Sequence, residues 1–176
     1  HIWSYLGNAR IRVQVDVGFG DPVVPPPTLV QIPTILNFPP PLVRGYSRES
    51  AIAEKFHAMV FHGEVNSRMK DFYDIWALAA QFHFNGQTLI DAIRATFKYR
   101  QSQIQVAPVA LTDAFVSRND KQAQWAAFVR RLSLDGQPPA LGDVVQLIAA
   151  FLQPVAMALS EGRLFDQHWP PGGPWQ

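Results

Sequence analysis

With 176 residues, 48% of them hydrophobic and 16% charged, the chain has the composition of a folded domain with one proper core, which excludes a disordered or highly charged segment. Its 15 Lys and Arg against 14 Asp and Glu leave a formal charge of +1, so net charge points to no partner and any nucleic-acid surface must come from local clustering. The absence of cysteine excludes disulfides and thiolate zinc sites and fits a cytoplasmic protein.

No apolar run approaches the ~18–20 residues that cross a bilayer. The most apolar stretch, Val144 to Leu159, is broken by Gln146, Gln153 and Pro154 and reads as a buried core helix, so no membrane partner is expected. From Asn8 to Phe19 the residues alternate, with Ile11, Val13, Val15, Val17 and Phe19 on one face and Arg10, Arg12, Gln14 and Asp16 on the other. Period-two alternation of this kind predicts a half-buried strand, which Gly18 and Gly20-Asp21-Pro22 then break.

Between Pro22 and Pro41 lie eight of the 15 prolines. Each fixes φ and removes a donor, so an irregular crossing is expected, with short edge strands at Leu29–Ile32, Thr34–Leu36 and Leu42–Tyr46.

Helical periodicity follows. Ser47 is placed as an N-cap with Glu49 in the first turn, Ile52, Phe56, Met59 and Val60 form an apolar stripe, and Gly63 ends the helix. Asn66 or Ser67 is expected to cap a second helix with Phe72, Ile75, Trp76 and Ala79 inward, stopped by Asn85-Gly86. A third is expected at Thr88–Tyr99, a short one near Leu111–Val116 and a longer one at Lys121–Leu132. Gln137-Pro-Pro139 separates these from a last helix, Leu141–Ser160, with a kink at Pro154. The tail Trp169–Trp175 reads as irregular. Strands first and helices after give an α+β fold. We divide it into a partial sheet region at 1–46 and a helical domain at 47–176.

Several groups carry chemistry, each with an ordinary alternative. Lys55 lies in the apolar half of its helix, where it either snorkels to solvent or supplies a point charge to phosphate oxygens. Arg68, Asp71 and Asp74 follow three-residue spacing, and Lys70 can pair with Asp74 at i,i+4. By pattern alone they are an ion-pair ladder at a helix start; functionally, Asp71 orients a hydroxyl or sits by a metal with Arg68 in support. Asp16 is a poor strand former in mid-strand, which suits either an open solvated face or a metal-binding carboxylate above the sheet.

His57 and His62 are five apart and do not make an i,i+4 zinc pair. Arg94, Lys98, Arg100, Arg118, Lys121, Arg130 and Arg131, with Tyr99 and Trp125, form either an RNA-following groove or a solvated face. Arg163 and His168 have the Arg-x4-His spacing of some small helical ribonucleases.

Three ordered blocks then carry a resemblance. Asp16-Val-Gly-Phe-Gly-Asp-Pro22, Tyr46-Ser-x-Glu49-x-x-x-Ala53-Glu54-Lys55-x-x-Ala58 and Asn66-Ser-Arg68-Met-Lys70-Asp71-Phe-Tyr73-Asp74-Ile75 resemble the nucleotidyltransferase AbiEii/AbiGii toxin family. The resemblance implies a DNA-polymerase-β-like nucleotidyltransferase core followed by helices. It implies the toxin half of a toxin–antitoxin or abortive-infection system that moves NMP from an NTP to an RNA acceptor such as tRNA, with Mg²⁺ and a cognate antitoxin. Lys55 then matches the family's lysine and Asp71 its late catalytic aspartate, with Asp74 beside it. Lys55 and Arg68 would face the nucleotide, and Asp16 would hold metal.

The family's opening Gly-Ser…Asp-x-Asp pair has no counterpart before Asp16. The chain is therefore expected to be a truncated or eroded form with little activity of its own. A non-catalytic antitoxin- or RNA-binding helical module is the alternative. The transferase reading requires Lys55 and Asp71 to open into one solvent-reachable pocket beside Asp16.

Overall fold

The computed structural model describes every residue except Asp16, Gly18 and 133–138, so Gln137 and Pro138 of the expected Pro-rich break lie outside the described residues. The chain opens as a hairpin of β1 (Ile2–Leu6) and β2 (Ala9–Val13), joined by the two-residue turn Gly7-Asn8 with Leu6 opposite Ala9. Gly7 takes φ 58, the left-handed backbone that such tight hairpin turns require and a side chain resists. The half-buried strand expected from Asn8 to Phe19 is corrected here. Regular pairing stops at Val13, and both faces are exposed, with Phe19 86% accessible. Alternation specifies a strand, but burial of its apolar face needs a second layer, and the described residues supply none.

A second hairpin pairs β3 (Thr28–Gln31) with β4 (Leu42–Gly45), Gln31 opposite Leu42, and Ile32 N–H donates to Pro41 O at 3.0 Å just beyond it. No strand forms at Thr34–Leu36. That stretch lies in the loop between the pair, flanked by Pro33 and Pro39–Pro41, and Ile35 is fully exposed.

The core begins with the helices. In α1 (Arg48–His62) the Ser47 hydroxyl accepts from Ser50 N–H at 3.1 Å, and Gly63 terminates the helix with φ 50. Its apolar stripe Ile52, Phe56 and Met59 is fully buried against α3 (Gly86–Tyr99). The intervening helix α2 (Met69–Gln81) buries Phe72, Ile75 and Ala79.

Two expected caps move. Asn66 does not cap α2; its Oδ1 accepts from Arg68 N–H at 2.9 Å, and Arg68 sits at the cap position without a side-chain cap bond. The cause is tertiary. Lys121, 1% exposed, donates from Nζ to Asn66 O at 2.9 Å and draws Asn66 into the interior. Likewise Asn85-Gly86 does not stop α2, which ends at Gln81. Asn85 instead caps α3, accepting from Thr88 N–H at 2.9 Å.

A short α4 (Asp113–Val116) precedes α5 (Asn119–Val129), which starts and ends somewhat earlier than the expected Lys121–Leu132. The last helix, α6 (Leu141–Ser160), keeps its expected bounds, runs on through Pro154 and packs against α2 and α3. It is long and apolar enough by composition to cross a membrane, yet half of its most apolar window is buried inside the molecule, as befits a core helix. The mixture of small sheets and six helices is an α+β fold.

The tail is more ordered than its composition suggests. Through β6 (His168–Trp169) it pairs with β5 (Phe84–Asn85), and Trp169 lies 1% exposed against Phe151. Gly86, at the start of α3, has no room for a side chain. A Cβ there would meet the Phe165 ring at 2.3 Å and Phe165 O at 2.7 Å. Gly86→Ala should therefore destabilise the protein, although glycine to alanine in a helix ordinarily gains up to about 1 kcal/mol. A thermal melt checks the sign; a raised midpoint would contradict the packing.

Candidate functional site

One turn of α1 and the first turn of α2 meet across the short connection 63–68, and their charged groups interlock. Lys55 Nζ lies 2.9 Å from Asp71 Oδ1 and 2.8 Å from Asp74 Oδ2. Arg68 Nε reaches Asp71 Oδ2 at 2.5 Å, and Lys70 Nζ reaches Asp74 Oδ2 at 2.6 Å. The three-residue spacing in α2 puts Arg68, Asp71 and Asp74 on one face, and packing of the two helices brings Lys55 onto it.

Asp71 is 4% exposed, which alone would raise its pKa; the Lys55 and Arg68 hydrogen bonds overcome that and hold it below the ordinary carboxylate range. Burial likewise works against the Lys55 charge, but Asp71 and Asp74 together push its pKa up. Both groups are therefore ionised at neutral pH. The Lys55 side chain keeps 22% exposure, and two of its three donor directions are taken by carboxylates, leaving one for a ligand.

These groups open into a cavity of 560 Å³ that Lys55, Arg68 and Asp71 line with Tyr46, His57 and Arg100. Tyr46 and Glu54 form a short hydrogen bond on its wall. Burial first, then that bond, raises the Tyr46 pKa, so the phenol stays protonated.

Asp74 bonds to Lys55 next to the cavity and is not one of its lining residues. Asp16, expected beside Lys55 and Asp71, lies outside the described residues.

From sequence His57 is read only beside His62, as a pair that does not make a zinc site, and Arg100 as one of several basic residues. His57 and Arg100 meet in this cavity. Arg100 can only donate, so its contact to His57 Nδ1 at 3.3 Å makes that nitrogen an acceptor, and Nε2–H donates to Ser102 Oγ at 2.8 Å. Ser102 Oγ in turn donates to Arg100 O at 3.2 Å. Burial, then the Arg100 charge and then His62 push the His57 pKa below its ordinary 6.5.

The unfolded chain takes up the proton first, so this contribution to stability is present above pH 6.5 and is lost as pH falls through the folded-state value. Melting temperature should therefore decline from pH 7.5 to 5.5, and His57→Gln should flatten that decline. An unchanged slope in the variant would refute the assignment of a neutral His57.

Other candidates are not brought together. Of the two readings of the basic residues from Arg94 to Arg131, a groove or a solvated face, the contacts of several members speak against one continuous groove. Arg94 pairs with Asp91 at 2.7 Å, Arg118 with Asp120 at 2.9 Å, and Lys121 is buried on Asn66 O. Trp125 is 5% exposed, with its Nε1–H on Pro139 O, so it offers no open stacking face. Arg163 pairs with the neighbouring Glu161, and neither it nor His168 lines this cavity. His57 and His62 do share the cavity wall, which helical spacing alone did not suggest.

A divalent metal needs several free oxygens, usually from two or three carboxylates. Both Asp71 oxygens are engaged by cations, Asp74 Oδ2 is shared by two lysines, and the described residues contain no cluster of three acids or histidines. The described acids do not fit a metal. They fit the role of pinning Lys55 and Arg68, or of accepting a hydrogen bond from a hydroxyl.

Residues 2–147 match a family whose description is nucleotidyl transferase AbiEii toxin, type IV toxin–antitoxin system. No curated protein and no solved structure matches the chain.

Proposed function

We propose, because this chain belongs to the nucleotidyl transferase AbiEii toxin family of type IV toxin–antitoxin systems, that the cleft between α1 and α2 serves nucleotide transfer from an NTP to an RNA acceptor. Family membership carries a toxin nucleotidyltransferase role and a cognate antitoxin. The roles of individual residues are our reading of the geometry.

In that reading Lys55 meets phosphate oxygens with its remaining donor direction, and Arg68 adds a planar fork for the same charge. Asp71, ionised and fixed on both oxygens, orders these two cations and stands beside the position of an incoming hydroxyl. A tRNA-like 3′ end is the acceptor class we favour, and such substrates place the reaction in the cytoplasm. Mg²⁺ would supply charge stabilisation in this chemistry in general. Since the described acids do not fit it, we expect these 176 residues alone to transfer weakly.

The convergence of Lys55, Arg68 and Asp71 on one open cavity carries the proposal. Its test is transfer of label from an α-labelled NTP onto RNA by the protein expressed from its native reading frame, beside the Lys55→Ala variant. Label on RNA in the wild type, lost in the variant, supports it; equal transfer by both removes Lys55 from the role.

A second reading has its own observation. Because Asp71 and Asp74 are each held by two cations, the same surface suits a non-catalytic binder of antitoxin or RNA. RNA or antitoxin binding with no transfer under any NTP and metal would favour that reading.

A further inference from the structure

A second cavity, of 360 Å³, lies between the start of α2 and α5, and Arg68 lines both it and the α1–α2 cleft. We propose that this groove takes the backbone of a single-stranded RNA end and delivers it across Arg68 to the transfer cleft. The inference rests on the transferase reading above and adds where the acceptor lies.

Charge is the first argument. Arg68, Lys70 and Arg131 line the groove. Arg131 is exposed and pairs with no carboxylate among the described residues. No acid among the described residues lines the groove; Asp71 pairs with Arg68 and Asp74 with Lys70, so Arg131 leaves a positive excess there. Elsewhere on the helical half Arg94 is neutralised by Asp91, Arg118 by Asp120 and Arg163 by Glu161, and Arg48 lies over the Phe82 ring. A strand of phosphates is attracted to this groove rather than to the surface at large.

The lining chemistry is the second argument. Phe128 stands in the groove wall, held by Tyr73 at 5.8 Å and Trp125 at 5.5 Å between ring centroids. A braced aromatic beside cations is the arrangement on which unpaired bases stack. Gln124 also lines the groove, and its buried Oε1 has no hydrogen-bond partner. A lone acceptor suits a donor from the ligand, and the ribose 2′-hydroxyl is the donor that a phosphodiester strand of RNA brings.

The test uses a short fluorescent single-stranded RNA with a free 3′ hydroxyl, titrated at several salt concentrations, with NTP binding measured separately. Arg131→Glu should weaken RNA binding roughly tenfold or more and lower the slope of log affinity against log salt by about 0.7 per lost phosphate contact. Arg94→Glu, an equal charge change on α3, should leave RNA affinity as in the wild type. Equal losses in both variants would mean bulk charge and would overturn the groove while leaving the transferase reading in place. Wild-type protein that binds NTP but no RNA at low salt would overturn the groove and the RNA acceptor together. Loss of NTP binding as well would remove the transferase reading itself.

Discussion

Lys55→Ala should lower nucleotide transfer by the protein from its native reading frame about 100-fold or more, the scale seen when one preorganised charge is withdrawn from a developing anion. The geometry makes this loss separable from unfolding. Removing Lys55 takes one cation from Asp71 and one from Asp74, but Asp71 keeps Arg68 and Asp74 keeps Lys70. The stability cost should therefore fall well short of the roughly 3–5 kcal/mol that a fully buried pair loses when one partner goes.

Lys55→Met is the sharper variant, since it preserves the aliphatic stem while deleting the charge. Melts and transfer rates measured on the same preparations decide the matter. Transfer that drops only in proportion to the folded fraction would make Lys55 a structural residue. Acid gives an independent reading. Asp71 has a depressed pKa, so its contribution is present above the ordinary carboxylate value and lost as pH falls through the folded-state value. Lys55 is raised, so its contribution holds up to the ordinary lysine range and fades above it. The ion network is complete across neutral pH.

Trp169→Ala should cost about 3–5 kcal/mol, the range for deleting a large buried aromatic. The ring is 1% exposed and sits 4.9 Å from Phe151 and 5.4 Å from Trp175 between centroids, and its Nε1–H donates to Ala79 O at 2.7 Å. Its loss leaves a cavity between α2 and α6 and a carbonyl without that partner. The rest of the tail depends on the same ring. Gly172 N–H also donates to Ala79 O, and a Cβ on Gly173 would stand 2.4 Å from the Trp169 ring. His168 and Gln176 exchange backbone hydrogen bonds at 2.9 and 3.0 Å, closing the tail on itself. In a chain of this size the melting temperature should fall by roughly 10 °C. A midpoint unchanged in both heat and urea would show that the tail packs without contributing to stability.

Much of the helical half could be read from the residues in order. Ile52, Phe56 and Met59 recur at helical spacing, Ser47 and Gly63 mark the ends of their helix by cap chemistry, and the bounds of α6 follow from its apolar run. These are local rules, satisfied within a few residues. The spacing of Arg68, Asp71 and Asp74 is of the same kind. That Lys55 joins them is what the transferase reading requires, and the three ordered motifs point to the family on their own.

What the order of residues left open was decided by contacts far apart in the chain. Lys121, 55 residues away, pulls Asn66 inward and moves the start of α2. Trp169, 90 residues from Ala79, turns a proline- and glycine-rich tail into part of the core. His57 and Arg100 become neighbours only because α1 packs on α3. In the same way Arg131 left the supposed basic stripe and joined Arg68 beside a second cavity. Periodicity and capping act over one or two turns and fix the elements; which charge meets which, and what lies under water, depends on how those elements close on one another.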